Sequence, residues 1–201
     1  MRGLLRQGMA YGLAGGLAVG NVLSGKTNPA GRLPLTFYRS VEDLPAFGDY
    51  AMKGRTYRYF TGTPVYPFGY GLSYTSFAYA PVKLTPAVTG VQDGLTVTTE
   101  VRNTGRRAGD EVAQLYLNFP KVDGAPRVAL RGFQRVHLAP GERRMLRFTL
   151  DPRDLSAVDA DGHRLVMKGD YRVSVGSGQP DTGVAGRSAT FAVATPRPIA
   201  D

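Results

Sequence analysis

From Leu95 onward the chain is written in twos. Leu95, Val97, Thr99 and Val101 fall on one side of an extended backbone, Thr96, Thr98, Glu100 and Arg102 on the other, and the run stops at the turn residues Asn103-Thr104-Gly105. A period of two places one set of side chains in a core and the other outside it, which a helix with 3.6 residues per turn cannot do. Further runs of strand type follow at residues 112–117, 128–136, 143–150, 171–175 and 189–193, with Pro140-Gly141 and Asp161-Gly162 as tight turns between some of them. Six or seven short strands in about 110 residues, without a helical period, predict a two-sheet antiparallel sandwich of immunoglobulin or fibronectin type III kind.

Ahead of that region, half of the chain's aromatic residues crowd into the positions from Tyr50 to Tyr79, a stretch with one Lys and neither Asp nor Glu. Gly and Pro recur among the rings, as in Tyr66-Pro67-Phe68-Gly69-Tyr70-Gly71. Pro breaks the helical hydrogen-bond ladder and Gly loosens it, so the segment predicts an ordered loop stapled by ring packing, not a long helix. Such a loop needs a surface to lie on.

The beginning of the chain reads differently. Residues 9–24 form a Gly/Ala-rich helical pattern closed by Gly25, a natural left-handed C-cap. Asn28-Pro29-Ala30-Gly31 makes a turn, residues 33–38 a short apolar strand, and Ser40 with Asp43 a capping pattern for one helical turn. One helix and one strand cannot bury both of their faces. Residues 1–48 therefore predict the end of an α/β unit whose other strands lie upstream. Arg2 and Arg6 before an apolar run imitate a secretory leader, but six glycines between Gly3 and Gly20 dilute it, and a helix packed closely on a neighbour is the expectation.

Composition closes several routes. A hydrophobic content of 42% supports a folded core. The absence of cysteine removes disulfides, thiol nucleophiles and thiolate metal sites. The net charge of +9 raises the question of nucleic acid, yet the excess is spread, with eight basic and three acidic groups before residue 81 and seventeen and thirteen after it. Without a basic cluster or a binding motif, neither a nucleic-acid partner nor a membrane is expected.

Several long motifs share one order. Asn28-Pro29-Ala30-Gly31-Arg32-Leu33-Pro34-Leu35-Thr36-Phe37, Gly54-Arg55-Thr56-Tyr57-Arg58-Tyr59 and Tyr66-Pro67-Phe68-Gly69-Tyr70-Gly71-Leu72-Ser73-Tyr74-Thr75 resemble the end of the α/β-sandwich domain and the linker of glycoside hydrolase family 3 enzymes. Asn103-Thr104-Gly105, Gly109-Asp110-Glu111-Val112, Leu130-Arg131-Gly132-Phe133 and Gly169-Asp170-Tyr171 resemble the fibronectin type III-like domain of the same family. The resemblance implies a mainly β chain: an α/β remnant at 1–48, an aromatic linker at 49–80, a sandwich at 81–195 and a tail at 196–201. It also implies a parent enzyme, periplasmic or extracellular, that is a retaining exo-β-glycosidase of β-glucosidase or β-xylosidase type. Its nucleophilic Asp and acid/base Glu would lie upstream, so the implied partners are the upstream catalytic domains.

The residues themselves offer no catalytic pair. Retaining hydrolysis needs two carboxyl groups about 5 Å apart. Glu42 and Asp43 sit where a helix start wants them, and Asp110, Glu111, Asp159 and Asp161 read as solvated acids at strand edges and turns. His137 and His163 read as surface residues, no metal set and no cofactor is expected, and Ser73 lacks a nucleophile elbow. Arg55, Tyr57 and Tyr59 are the candidates for contact with an oligosaccharide, by ring stacking and donation to hydroxyls. The competing expectation is that these rings clamp the two halves together, with Arg55 or Arg58 pairing a buried acid. A stand-alone module binding carbohydrate or protein is the rival to a glycosidase portion.

Overall fold

The computed structural model describes residues 2–85, 94–122, 124–159 and 161–199. The strands are, in chain order, β1 (Phe77–Tyr79), β2 (Lys83–Thr85), β3 (Leu95–Asn103), β4 (Gly109–Asn118), β5 (Val128–Leu138) and β6 (Arg143–Leu150). β7 (Ala157–Val158), β8 (Arg164–Val166), β9 (Gly169–Gly176), β10 (Gly186–Val193) and β11 (Arg197–Pro198) complete the set. In the first sheet β3 pairs with β6 along one edge and with β1 and β2, one after the other, along the opposite edge. The second sheet has the order β10-β9-β4-β5, every pair antiparallel. The sandwich predicted from the alternation is therefore present, and its parity holds: Leu95, Val97, Thr99 and Val101 are buried while Thr96, Thr98, Glu100 and Arg102 are not.

The core lies between the sheets. Val97 and Val101 of β3 and Leu146 and Leu150 of β6 join Ala113, Leu115 and Leu117 of β4 and Tyr171, Val173 and Val175 of β9 in one cluster. At about 25 cal/mol per Å² of apolar surface removed from water, such a cluster dominates the stability of the domain. Tyr171 fastens one end of it. Its hydroxyl donates to the Met167 carbonyl (3.0 Å) and accepts from the Met167 amide (2.8 Å), and its ring stacks on Phe191 at 5.1 Å. This is the tyrosine corner of immunoglobulin-like sandwiches.

Two elements go beyond the sequence reading. Asp151 caps a single helical turn, Pro152–Leu155, by accepting from the Asp154 amide at 2.8 Å, while Asp154 returns the bond to the Asp151 amide. Asp-Pro-x-Asp is the capping box that carried this information. A small third sheet, β11-β8-β7, draws Arg197 and Pro198 into pairing with Val166 and Leu165.

Before the sandwich, helix α1 spans Arg2–Leu23, beginning earlier than the sequence pattern indicated. Its predicted stop is present: Gly25 has φ 72° and its amide reaches the Val22 carbonyl at 2.9 Å. Ser40 and Asp43 form the expected capping box around a 3-10 turn at Val41–Asp43. The predicted strand at 33–38 joins no sheet. It pairs by backbone with the aromatic loop, Leu33 with Gly69 and Tyr70, Phe37 with Val65 and Tyr66. Among the described residues no helix is long and apolar enough to cross a membrane.

Candidate functional site

Residues 28–76 run as a strap over the sandwich, and β4 records it. Ala113, Leu115 and Leu117 of β4 face the core, so Gln114 and Tyr116 should face water, yet both are buried. The strap covers them. Gln114 Nε2 donates to the carbonyls of Gly69 (3.0 Å) and Ser177 (3.1 Å), and its Oε1 accepts from the Tyr116 hydroxyl (2.6 Å). Burial raises the Tyr116 hydroxyl well above the ordinary phenol range, with Tyr57 adding to the shift. Gly69 is required here. Its φ is 76°, and a Cβ would run into Gln114 Oε1 and the Tyr116 hydroxyl.

The three candidate sugar-contact residues lie around the single helical turn α2 (Thr56–Tyr59). The Tyr57 ring stacks on Phe68 at 4.1 Å and meets Tyr116 edge-on at 6.2 Å, and its hydroxyl accepts from the Leu130 amide at 3.1 Å. Arg55 donates to the carbonyls of Ala51 (3.1 Å), Ala46 (3.3 Å) and Asp49. Tyr59 is half-buried. Tyr57 thus sits between strap and sandwich, whereas Arg55 holds the 46–51 loop and pairs no acid among the described residues.

The buried acid is Glu111, and its partner is Arg32. Glu111 is fully buried, contrary to the solvated acid expected at a strand edge. It shares parity with Ala113 and Leu115, so its side chain points inward at the end of the sandwich. Arg32 Nη2 reaches its Oε2 at 2.9 Å and the Tyr79 hydroxyl donates to its Oε1 at 2.6 Å. Arg32 also donates to the carbonyls of Ser177, Ala30 and Gly31, so its fork is satisfied on several sides. Burial, followed by the Glu111 carboxylate, raises the Tyr79 hydroxyl far above its usual range.

A third tie joins the ends of the motifs. Asn28 Oδ1 accepts from the Tyr74 amide (2.8 Å) and the Ser73 hydroxyl (3.1 Å), while its Nδ2 donates to the Ala108 carbonyl (3.1 Å). Ser73 is thereby engaged in structure. Thr75 donates to Asn103 Oδ1 at 2.7 Å, and Asn103 Nδ2 donates to the carbonyls of Arg107 and Leu138. Asn28 with Arg32, Gly69 and Asn103, three places far apart in sequence, are parts of one seam.

Other acids serve local ends. Asp110 accepts from His137 and Arg135, and the hydrogen bond from His137, ahead of that from Arg135, holds its carboxyl below the usual range. Asp159, Asp161 and His163 come within 4.8 Å of one another, but Asp159 Oδ1 accepts from the amides of Asp161 and His163, the ordinary wiring of a hairpin turn.

The outward side of the first 75 residues is bare. Fourteen of the eighteen exposed large apolar side chains among the described residues lie there, among them Leu17, Leu23, Phe47 and Leu72. Val22, Leu33, Phe37, Tyr66, Leu72 and Tyr74 help to line an open groove of about 780 Å³. On α1, a Cβ added at Gly12, Gly15, Gly16 or Gly20 would meet nothing within 4 Å.

Residues 3–74 match the glycosyl hydrolase family 3 C-terminal domain, and residues 111–179 match the fibronectin type III-like domain. The chain is 41% identical over 172 residues to a xylan 1,4-beta-xylosidase of Xylanibacter ruminicola, covering 85% of this chain and 20% of that protein. It is 39% identical over 153 residues to a periplasmic beta-glucosidase of Salmonella typhimurium, covering 70% of this chain and 20% of that protein. Among solved structures, beta-glucosidase 3B from Thermotoga neapolitana in complex with alpha-D-glucose superposes with a TM-score of 0.78 at 33% identity, over 91% of this chain and 27% of that one. The chain thus spans about a fifth of the length of these curated relatives.

Proposed function

The chain belongs to glycosyl hydrolase family 3, carrying its C-terminal domain and a fibronectin type III-like domain, and we propose that it is the non-catalytic C-terminal portion of a retaining exo-β-glycosidase of β-glucosidase or β-xylosidase type. Its work is interdomain packing: the sandwich and strap form a rigid base, and α1 with the apolar groove forms the face that the upstream catalytic domains cover. The observation that carries this reading is the glycine face of α1. Gly12, Gly16 and Gly20 recur every fourth residue on one side of the helix, and the space over them is empty. A glycine inside a helix is about 1 kcal/mol less favourable than alanine, so such a row is a net loss unless another backbone comes close. The paired carboxylates of retaining chemistry then come from the upstream region.

On this reading the chain divides at 1–48, 49–80, 81–195 and 196–201, as the sequence indicates. Arg55, Tyr57 and Tyr59 are the residues through which it would approach an oligosaccharide in the assembled enzyme. What favours Arg55 and Tyr59 is that both are only half-buried; Tyr57 is already engaged by Phe68 and the Leu130 amide.

A graft tests the proposal. Replacing the matched region of the Xylanibacter ruminicola xylosidase by residues 1–201 should yield a folded chimera that hydrolyses an aryl β-xyloside, whereas the chain alone should leave aryl β-xyloside and β-glucoside untouched. Hydrolysis by the chain alone, or a folded but inactive chimera, would contradict it.

A further inference from the structure

We infer that the cleft between the 61–65 segment of the strap and the 179–182 turn of the sandwich is a binding site for a neutral, hydroxyl-rich ligand of the saccharide class. The cleft has a volume of about 360 Å³, within the span of small-molecule pockets. Its walls combine the rings of Tyr57 and Tyr70 with the polar groups of Thr36, Arg127, Gln179 and Asp181. Sugars present apolar C–H faces and edges of hydroxyls that both donate and accept, so they need rings and mixed polar groups together.

The charges decide against other ligands. Arg127 spends Nη2 on the Phe60 carbonyl at 3.1 Å and faces Asp181, whose own charge is paired with Arg172. A phosphate or carboxylate would meet the Asp181 carboxylate in the same wall and be repelled by it, and a hydrocarbon would strip water from both charges without replacing their hydrogen bonds. A neutral polyol satisfies the set.

Thr36 supplies the second and independent observation. It is 8% exposed, it lines the cleft, and its hydroxyl is buried without a hydrogen-bond partner. Buried polar side-chain atoms without a partner are rare, and they call for a partner not yet present. The backbone around Thr36 is pinned by the pairing of Leu33 and Phe37 with the loop, so the hydroxyl meets a ligand by turning about one side-chain bond.

This inference rests on the chemistry of the cleft and not on the docking role, so the two can fail separately. The test titrates the full chain with xylotriose and with cellotriose, up to about 50 mM as weak sugar binding requires, while amide resonances are followed by NMR. Saturable shifts are expected at Gly62, Thr63, Gln179, Asp181 and Thr182. Thr36→Val should weaken binding about three- to tenfold, the worth of one hydrogen bond, with an unchanged or higher urea midpoint because it removes an unpartnered buried hydroxyl. Thr61→Val, at an exposed position on the rim, should weaken it as well and serves if Thr36→Val fails to fold. No saturable shift with either sugar, shifts centred elsewhere, or variants that fold and bind as the parent does would each overturn the inference.

Discussion

At Glu111 a carboxylate wholly removed from water is held by one guanidinium and one phenol, and the arrangement has a measurable consequence. Removing one partner of a buried ion pair leaves the other charge uncompensated, which typically costs about 3–5 kcal/mol. Arg32→Met should lower the unfolding free energy in urea by that order, and adding Glu111→Leu should recover most of the loss. A loss below about 1 kcal/mol would mean that water reaches the pair. Tyr171 gives a second residue-level test. Burial pushes its hydroxyl up to about 12, against 10.0 for a free phenol. Because the folded value is raised, its contribution is intact below pH 10 and is lost as pH climbs from 10 towards 12, where the unfolded chain ionises first. Urea midpoints should fall across that window, and Tyr171→Phe should fall less steeply from a lower start; parallel slopes would exclude Tyr171 as a source. Parity was the signal that sequence offered for Glu111, since it shares a side with Ala113 and Leu115. The turn-like Gly109-Asp110 before it masked that signal.

Among the elements, β3 was legible in full, whereas β4 was legible as a strand at 112–117 but not in the burial of its outer face, for one physical reason. β3 has one face in the core and one in water, so its pattern alternates, whereas the strap covers the outer face of β4 and buries Gln114 and Tyr116 as well. A cover supplied by residues some fifty positions away leaves no mark on the strand's own period. The strap was legible as an ordered aromatic loop, but not the route by which Gly69 and Tyr57 reach β4 and β5. Gly69→Ala should destabilise the chain by about 1–3 kcal/mol through a strained backbone and the displaced Gln114, read as a lower thermal midpoint. Tyr57→Ala should act in the same direction, about 2 kcal/mol, by opening the Phe68 and Tyr116 packing. Either variant at the parent midpoint would show that the strap is not bound where it lies. α1 is the opposite case. Gly16→Ala should leave the isolated chain as stable or slightly raise its helix content by circular dichroism, since nothing touches that face.

On the scale of the whole molecule, a closed core and an open face coexist. The sandwich buries its apolar residues, while most of the exposed ones lie on the strap and α1. The sequence suggested a division near residue 81. The seam shows what such a cut removes: β1, the Tyr79 side chain from the core, and Arg32 from Glu111. A chain starting at Pro81 should therefore unfold at lower urea than the full chain, by midpoint comparison. In the proposed role, the α1 face packs against an upstream domain of the parent glycosidase. Hydrogen exchange at the backbone amides of α1 tests it most directly, in the isolated chain and in the graft on the xylosidase. A glycine-rich helix with no packed face opens readily, so exchange of the 12–23 amides should be slowed at least about a hundredfold in the graft. Equal exchange in the two, with the sandwich strands protected in both, would contradict the claim.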